Sequence, residues 1–348
     1  MPDLTSWTDA APGDWDACLD RARWHRANRG WTQSAAGKAL GLVFFNPSLR
    51  TRASMDLAAA HLGAHAITLT PGSGTWGLET RDDVVMDGDA AEHVKEAFGV
   101  LSRYVDALGV RTFATLTDAD ADASDAAFRA VVDASTVPVV NLESARWHPC
   151  QELGDAATVS DLLGDPRGQK LVLRWAPHPK PLPRAVPNSA LMMAARLGME
   201  VIVSRPDGFG LDPGVLALAR AAASRSGGSV TESADREGSL SGAKVVYVKA
   251  WSGAAVYESP DHEAAQRASH ADWRMTGDNL TRTNRAHVMH CLPVRRGVVL
   301  DGDILDGDRA AHLLQAEYRL HAQKAILEWV WGLKGSGFEG SPAGGVRA

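Results

Sequence analysis

Short apolar runs rich in β-branched residues alternate with helix-patterned segments along almost the whole chain, a rhythm that few architectures accept. The runs at 41–45, 66–69, 105–110, 138–142, 171–175, 200–204, 243–249 and 288–289 read as buried strands. Between and around them, 14–29, 53–62, 92–104, 126–134, 152–163, 188–197, 213–224 and 315–331 carry apolar residues at helical spacing, and Asp14 is placed to cap the first of these. Such alternation predicts an α/β fold of doubly wound parallel sheets with helices on both faces. A chain of 348 residues suits two domains rather than one, and the boundary between them reads either as the cluster of Gly, Asp and Pro at 164–169 or as the preceding helix bridging the two halves. The stretch 335–348 is rich in Gly, Ser and Pro, which predicts a disordered tail.

In such folds ligands sit where strands end, so the polar turns after the strands carry the chemistry. The first is Phe44-Phe45-Asn46-Pro47-Ser48-Leu49-Arg50-Thr51-Arg52, where a strand gives way to a helix. A helix N-terminus offers unpaired N–H groups and partial positive charge; two guanidiniums and two hydroxyls reinforce them here, which is the chemistry of an anion site. Arg111 is delivered at the end of a later strand, and His148-Pro149-Cys150-Gln151 repeats the strand, turn, helix plan. Any anion must be drawn locally, because the net charge of −6 disfavours nucleic acid or an anionic membrane as partner. No Gly-x-Gly-x-x-Gly follows any strand, so no dinucleotide cofactor is expected. Cys18, Cys150 and Cys291 are odd in number, far apart and without metal-ligand spacing, which predicts a reducing compartment and no metal. With no apolar signal core in 1–11 and no membrane-length apolar run, a cytoplasmic protein is expected.

Taken together, Ser48 to Arg52, Arg111, His148 to Gln151, His290-Cys291-Leu292-Pro293 and Arg319 within Glu317 to Lys324 resemble the aspartate/ornithine carbamoyltransferase superfamily, in order and spacing, over residues 40–330. The joint occurrence of these motifs is far more specific than any one of them. The resemblance implies two α/β domains with the active site between them: 1–150 binding carbamoyl phosphate, with a helix at 315–334 packing back on it, and 151–314 binding the acceptor. It further implies a homotrimer with shared active sites. Carbamoyl phosphate would be held by Ser48, Leu49, Arg50, Thr51, Arg111, His148, Gln151, Cys291, Leu292 and Arg319, with Trp76 reaching in from the adjacent subunit. Arg111, His148 and Thr51 would stabilise the oxyanion of the tetrahedral intermediate.

Longer matches point to one branch. Phe44 to Arg52, Val85-Met86-Asp87-Gly88-Asp89, His178-Pro179-Lys180-Pro181-Leu182 and Lys249-Ala250-Trp251 resemble the enzymes that act on N-acylated ornithines in arginine biosynthesis. Ordinary ornithine members carry an aspartate where Lys249 stands. A lysine repels an α-ammonium and welcomes a carboxylate, which fits an acceptor whose α-amine is acylated. Glu143, His178, Lys249 and Leu292 would then hold that acceptor. Acyl specificity falls on Ala91 or Glu92, where acetyl-specific members have a glutamate, and on Val299, where they have a lysine. N-acetylornithine is the expected acceptor. N-succinylornithine, another amine, or a non-catalytic scaffold of the same fold stay open.

Overall fold

The computed structural model describes residues 1–333, so the expectation of a disordered tail at 335–348 lies outside the described residues. The chain divides into two compact units. Unit 1 comprises 1–115, 120–154 and the described residues from 318; unit 2 comprises 116–119 and 155–317.

In unit 1 the elements run α1 (Asp14–Ala27), β1 (Ala39–Phe44), α2 (Arg50–His61), β2 (His65–Leu69), the two-residue strands β3 (Leu78–Glu79) and β4 (Glu92–His93), then α3 (Val94–Leu101) and β5 (Ala107–Arg111). They continue with α4 (Ala119–Ser124), α5 (Ala126–Ala134), β6 (Val139–Glu143) and the start of α6 (Pro149–Leu163). The main sheet is parallel with order β2-β1-β5-β6. Strands β1, β5 and β6 are buried almost throughout, as a parallel sheet covered by helices requires, while the edge strand β2 is partly exposed. One face is closed by Val94, Phe98, Phe128 and Val131 from α3 and α5 against Val43, Leu108, Val110 and Val139.

Unit 2 contains β7 (Lys170–Trp175), α7 (Ala185–Arg196), β8 (Glu200–Ser204), α8 (Pro213–Ser226), β9 (Ser229–Ser233), β10 (Val245–Lys249), α9 (Pro260–Ser269), α10 (Gly277–Thr281), β11 (His287–Met289) and α11 (Gly302–Leu305). Its sheet is also parallel, with order β11-β10-β7-β8-β9. A core of Val172, Val246, Val248, Met275, Val288 and Leu300 fills one side. The last helix, α12 (His312–Trp331), begins in unit 2 and ends in unit 1.

The expected parallel α/β architecture is what the chain forms, with local differences. Gly13, at φ 91°, occupies the N-cap of α1, so Asp14 is the first helical residue and not the cap. The helix expected from residue 92 begins at Val94, because Glu92–His93 pair with Leu78–Glu79 and the His93 ring accepts the Lys95 N–H. Polar β9 and charged α9 lack an apolar period and were not expected. Residues 1–11 also have structure: Leu4 is fully buried and exchanges backbone hydrogen bonds with Val139 and Asn141, while the Trp7 indole donates to the Pro149 carbonyl.

Candidate functional site

Each sheet reverses its winding direction once, and the polar residues gather at those reversals. In unit 1 the chain leaves β1 towards β2, then returns through β5 on the other side. The carboxyl ends of β1 and β5 therefore flank the switch point, in register at Phe44 and Arg111. In unit 2 the reversal falls between β7 and β10, where Trp175 pairs with Lys249. Open α/β sheets bind ligands at such points because the loops diverge there and leave a crevice.

At the unit 1 switch point, Ser48 Oγ accepts the Thr51 N–H at 3.2 Å, which satisfies one orphan donor of α2. The opening residues of α2 contain no carboxylate, and Arg50 stands at its first turn. Asn46 Oδ1 accepts the Phe113 N–H at 2.7 Å and ties the loop after β1 to the loop after β5. Leu49 is exposed, Ser48 and Arg50 are half-buried, and Thr51 is buried.

Two buried polar clusters adjoin this turn. In one, Arg319 on α12 donates from Nη1 to Gln151 Oε1 at 2.5 Å and from Nη2 to Thr51 Oγ1 at 2.9 Å. A glycine at 154 lets the helices approach this closely, since a Cβ there would stand 3.4 Å from the Arg319 nitrogen and 3.5 Å from its Cδ. In the other, Arg111 Nη1 bonds Glu143 Oε2 at 2.5 Å, with the guanidinium 4.4 Å from the Phe113 ring centre. His148 Nε2 lies 3.5 Å from the same carboxylate oxygen. Thr51, Arg111, Glu143, His148, Gln151 and Arg319 are each at most 8% exposed, so these contacts are desolvated and strong. Burial pushes the Cys150 thiol up to about 12, which makes it a small apolar filler.

Trp76 stands apart from these clusters on a breaker-rich loop and is 61% exposed. Its indole N–H donates to Glu92 Oε2 at 2.7 Å, which brings together two residues singled out for separate reasons. Both line a groove of about 220 Å³ with Val43, Leu69, Pro71 and Val100. Ala91 is exposed beside them, its N–H bonded to the Gly77 carbonyl.

In unit 2, Lys249 is half-buried at the end of β10 and His178 is half-buried in the loop after β7. Arg295 Nε donates to His178 Nε2 at 3.1 Å, and the other ring nitrogen, Nδ1, lies 2.9 Å from the Lys180 carbonyl oxygen and 3.1 Å from the Lys180 N–H that donates to it. Burial lowers the His178 pKa, and Arg295, Lys249 and Arg267 lower it further, while the Lys180 carbonyl opposes them. The ring is thus a neutral spacer inside a cationic group. Helix α9 braces that group: Glu263 pairs with Arg267 at 3.1 Å and accepts the Gly253 N–H, and Arg267 donates to the His178 carbonyl. Cys291 and Leu292 are half-buried in the turn after β11, where Leu292 holds φ 59°. Val299 is 2% exposed and packs in the apolar core of unit 2, and its exposed neighbour is Val298.

Arg295, Arg267 and Glu263 escaped the reading of the sequence. The His-Cys-Leu-Pro motif stood close to Arg295, but nothing in the sequence brings Arg295 to His178, which lies 117 residues away. Among the described residues no cluster of three or more His, Cys, Asp or Glu could hold a metal ion, and no helix is long and apolar enough to cross a membrane.

Residues 2–161 match the family model described as aspartate/ornithine carbamoyltransferase, carbamoyl-P binding domain, and residues 184–330 match its Asp/Orn binding domain. The chain is 39% identical over 323 residues to an N-acetylornithine carbamoyltransferase of Xanthomonas campestris pv. campestris, covering 92% of this chain and 94% of the relative. It is 33% identical over 298 residues to an N-succinylornithine carbamoyltransferase of Bacteroides fragilis, covering 86% and 89%. A crystal structure of acetylornithine transcarbamylase complexed with acetylcitrulline superposes with a TM-score of 0.91 at 38% identity, covering 94% of this chain and 98% of that one. The alternation of strands and helices, the polar clusters at the strand ends and these matches agree, and the chain belongs to the aspartate/ornithine carbamoyltransferase family.

Proposed function

We propose that the protein transfers the carbamoyl group of carbamoyl phosphate to the δ-amine of N-acetylornithine, giving N-acetylcitrulline and phosphate for arginine biosynthesis. The observation that carries the acceptor half is the pair of cations Lys249 and Arg295 beside His178, where the one carboxylate described nearby, Glu263, is already neutralised by Arg267. The greater identity to an N-acetylornithine enzyme than to an N-succinylornithine enzyme supports the acetyl form.

In this reading Ser48, Leu49, Arg50 and Thr51 hold the phosphate of carbamoyl phosphate at the start of α2, with Arg111, Gln151 and Arg319 completing the set and Trp76 supplied by a neighbouring subunit of a homotrimer. The neutral δ-amine attacks the carbamoyl carbon. Negative charge builds on the carbonyl oxygen, where Arg111, His148 and Thr51 stabilise it, and the intermediate collapses as the C–O bond to phosphate breaks and the amine proton passes to the departing phosphate. Positioning and electrostatics suffice, with no covalent nucleophile. Cys291 and Leu292 orient the amine, while Glu143, His178 and Lys249 hold the amino-acid end. The three cysteines are free, which supports a cytoplasmic setting.

N-succinylornithine is the second reading. Arg295 is exposed and available as a partner for a terminal carboxylate, and Ala91 leaves room beside Glu92. Val299, packed in the core, would act on acyl choice only through the turn it supports. An acceptor panel of ornithine, N-acetylornithine, N-succinylornithine, putrescine and aspartate, read as ureido product, separates these readings. Ornithine should fall at least about a hundredfold below the acylated forms, because a like-charge contact in a partly desolvated site costs several kcal/mol and each ~1.36 kcal/mol is a tenfold loss. Equal turnover of ornithine would refute the role given to Lys249.

A further inference from the structure

A buried polar chain runs through unit 2 from helix α6 to the turn after β11. Its first member is Asp155, fully buried, four residues beyond Gln151 on α6. Tyr247 on β10 donates its hydroxyl to Asp155 Oδ2 at 2.8 Å, and Gln315 on α12 donates its amide to Asp155 Oδ1 at 2.7 Å. The same amide also reaches the Tyr247 oxygen at 3.0 Å. Because Gln315 Nε2 faces two acceptors, its Oε1 must face the other way, and there it accepts the His290 N–H at 3.0 Å. The His290 ring then continues the chain, since its Nδ1 accepts the Leu292 N–H at 2.9 Å. That bond closes over a Leu292 held at φ 59°, a conformation that costs energy in any residue with a Cβ and therefore needs external support.

The Gln315 amide nitrogen faces two acceptors and its oxygen one donor, so a flip of the amide would break three contacts. A carboxylate, a phenol and a primary amide seldom lie fully buried together for packing alone, since each must be satisfied by the others. Asp155, Tyr247 and Gln315 are 0–1% exposed. What they hold is the backbone of His290, and through the imidazole the backbone of Leu292.

We propose that Gln315 is a positioning residue for carbamoyl transfer: through Asp155 and Tyr247 on one side and His290 on the other, it fixes the His290–Pro293 turn that orients the acceptor amine. The proposal rests on the carbamoyltransferase reading above, and concerns how the turn is held rather than which residues touch substrate.

Two variants test it in the full chain, with N-acetyl-L-ornithine or whichever acylated ornithine the panel shows to turn over. Gln315→Met keeps the length and removes every polar contact. Gln315→Glu keeps the acceptor for His290 but lacks the amide protons, so it can bond Asp155 only while protonated. The titratable groups around it are Asp155 from α6, Tyr247 from β10, and His290 and Cys291 from the turn. One buried carboxylate beside another holds its proton to higher pH than usual. Relative to wild type, the Glu variant should therefore be most active near pH 6 and decline as pH rises to 9. The Met variant should lose at least about tenfold in kcat/KM for the acceptor, while its Kd for inorganic phosphate, measured by calorimetry, stays within about twofold.

A Met variant within threefold of wild type overturns the proposal, as does a parallel loss of phosphate affinity. If Gln315→Met fails to fold, the Glu variant decides by its pH ratio, and a flat ratio overturns the proposal. Failure of both variants to fold makes the chain a stability element and overturns it as well. A wild-type protein that turns over no acceptor refutes the functional reading instead, an outcome visible before any variant is made.

Discussion

Replacing Arg111 by alanine separates what that guanidinium does for the fold from what it does for catalysis. In the folded protein it bonds Glu143 at 2.5 Å, and the two are 7% and 8% exposed. Removing the arginine strands a buried carboxylate, an effect worth about 3–5 kcal/mol against a typical domain stability of roughly 5–15 kcal/mol. The single variant should therefore lose a large part of its stability, with His148, 3.5 Å from the same carboxylate oxygen, offering partial relief when protonated. Adding Glu143→Gln removes the stranded charge, and replacing both partners is often close to neutral. The double variant should thus recover most of the lost stability. Catalysis should not follow, because loss of a donor aimed at a developing oxyanion costs about a hundredfold or more. Urea unfolding followed by circular dichroism gives the first quantity, and ureido product formation gives the second. The reasoning fails if Arg111→Ala is as stable as wild type, if the double variant regains activity, or if either variant turns over within tenfold of wild type.

Trp76→Ala should weaken carbamoyl phosphate binding without unfolding the subunit, since the exposed ring contributes little to its own core; a fully active monomer in sedimentation would remove the shared-site argument. Stability should decline as pH falls below about 6.5: burial lowers the pKa of His25 despite its bond to Glu328, and burial also lowers those of His61, His178, His287 and His312. A histidine with a depressed folded pKa takes up protons more readily when unfolded, so its contribution is complete above 6.5 and lost on acidification. Melting temperatures that rise from pH 7 to 5 would contradict this. In the native protein only Cys291 should react promptly with a thiol reagent at pH 8, because Cys18 and Cys150 are fully buried with raised pKa values; three equally fast thiols would refute that reading.

The parallel architecture was legible because buried strands such as Leu171 to Trp175 are continuously apolar and end abruptly in polar turns, so one-dimensional pattern and three-dimensional burial coincide. The same holds for Ser48 to Arg52 and Arg111, whose positions at strand ends are fixed locally. What the sequence concealed depends on long-range pairing. Polar β9 forms because β8 offers it a partner, and α9 packs Glu263 and Arg267 inward as a mutually neutralising pair, which a hydrophobic period cannot signal. Leu4 and Trp7 lie in a stretch with no apolar period of its own, yet each is placed by residues more than 130 positions away. Acidic Asp155 would have been read as a solvated helix residue, although its spacing of four from Gln151 put it on the same helical face.

Helix α12 gives the chain an order of assembly in time. The sheet of unit 1 is complete once residue 143 has emerged during synthesis, but Thr51 waits for Arg319, 268 positions on, and Arg21 and His25 wait for Glu328, 307 and 303 positions on. At about 5–20 residues per second, roughly 10–30 s separate translation of α6 from that of α12. During that interval the nascent unit 1 carries its Ser48 to Arg52 turn without the arginine that bonds Thr51 and Gln151, and α1 without the glutamate that bonds Arg21 and His25. The polar contacts that Thr51, Gln151, Arg21 and His25 make with α12 are thereby deferred until unit 2 has also been made.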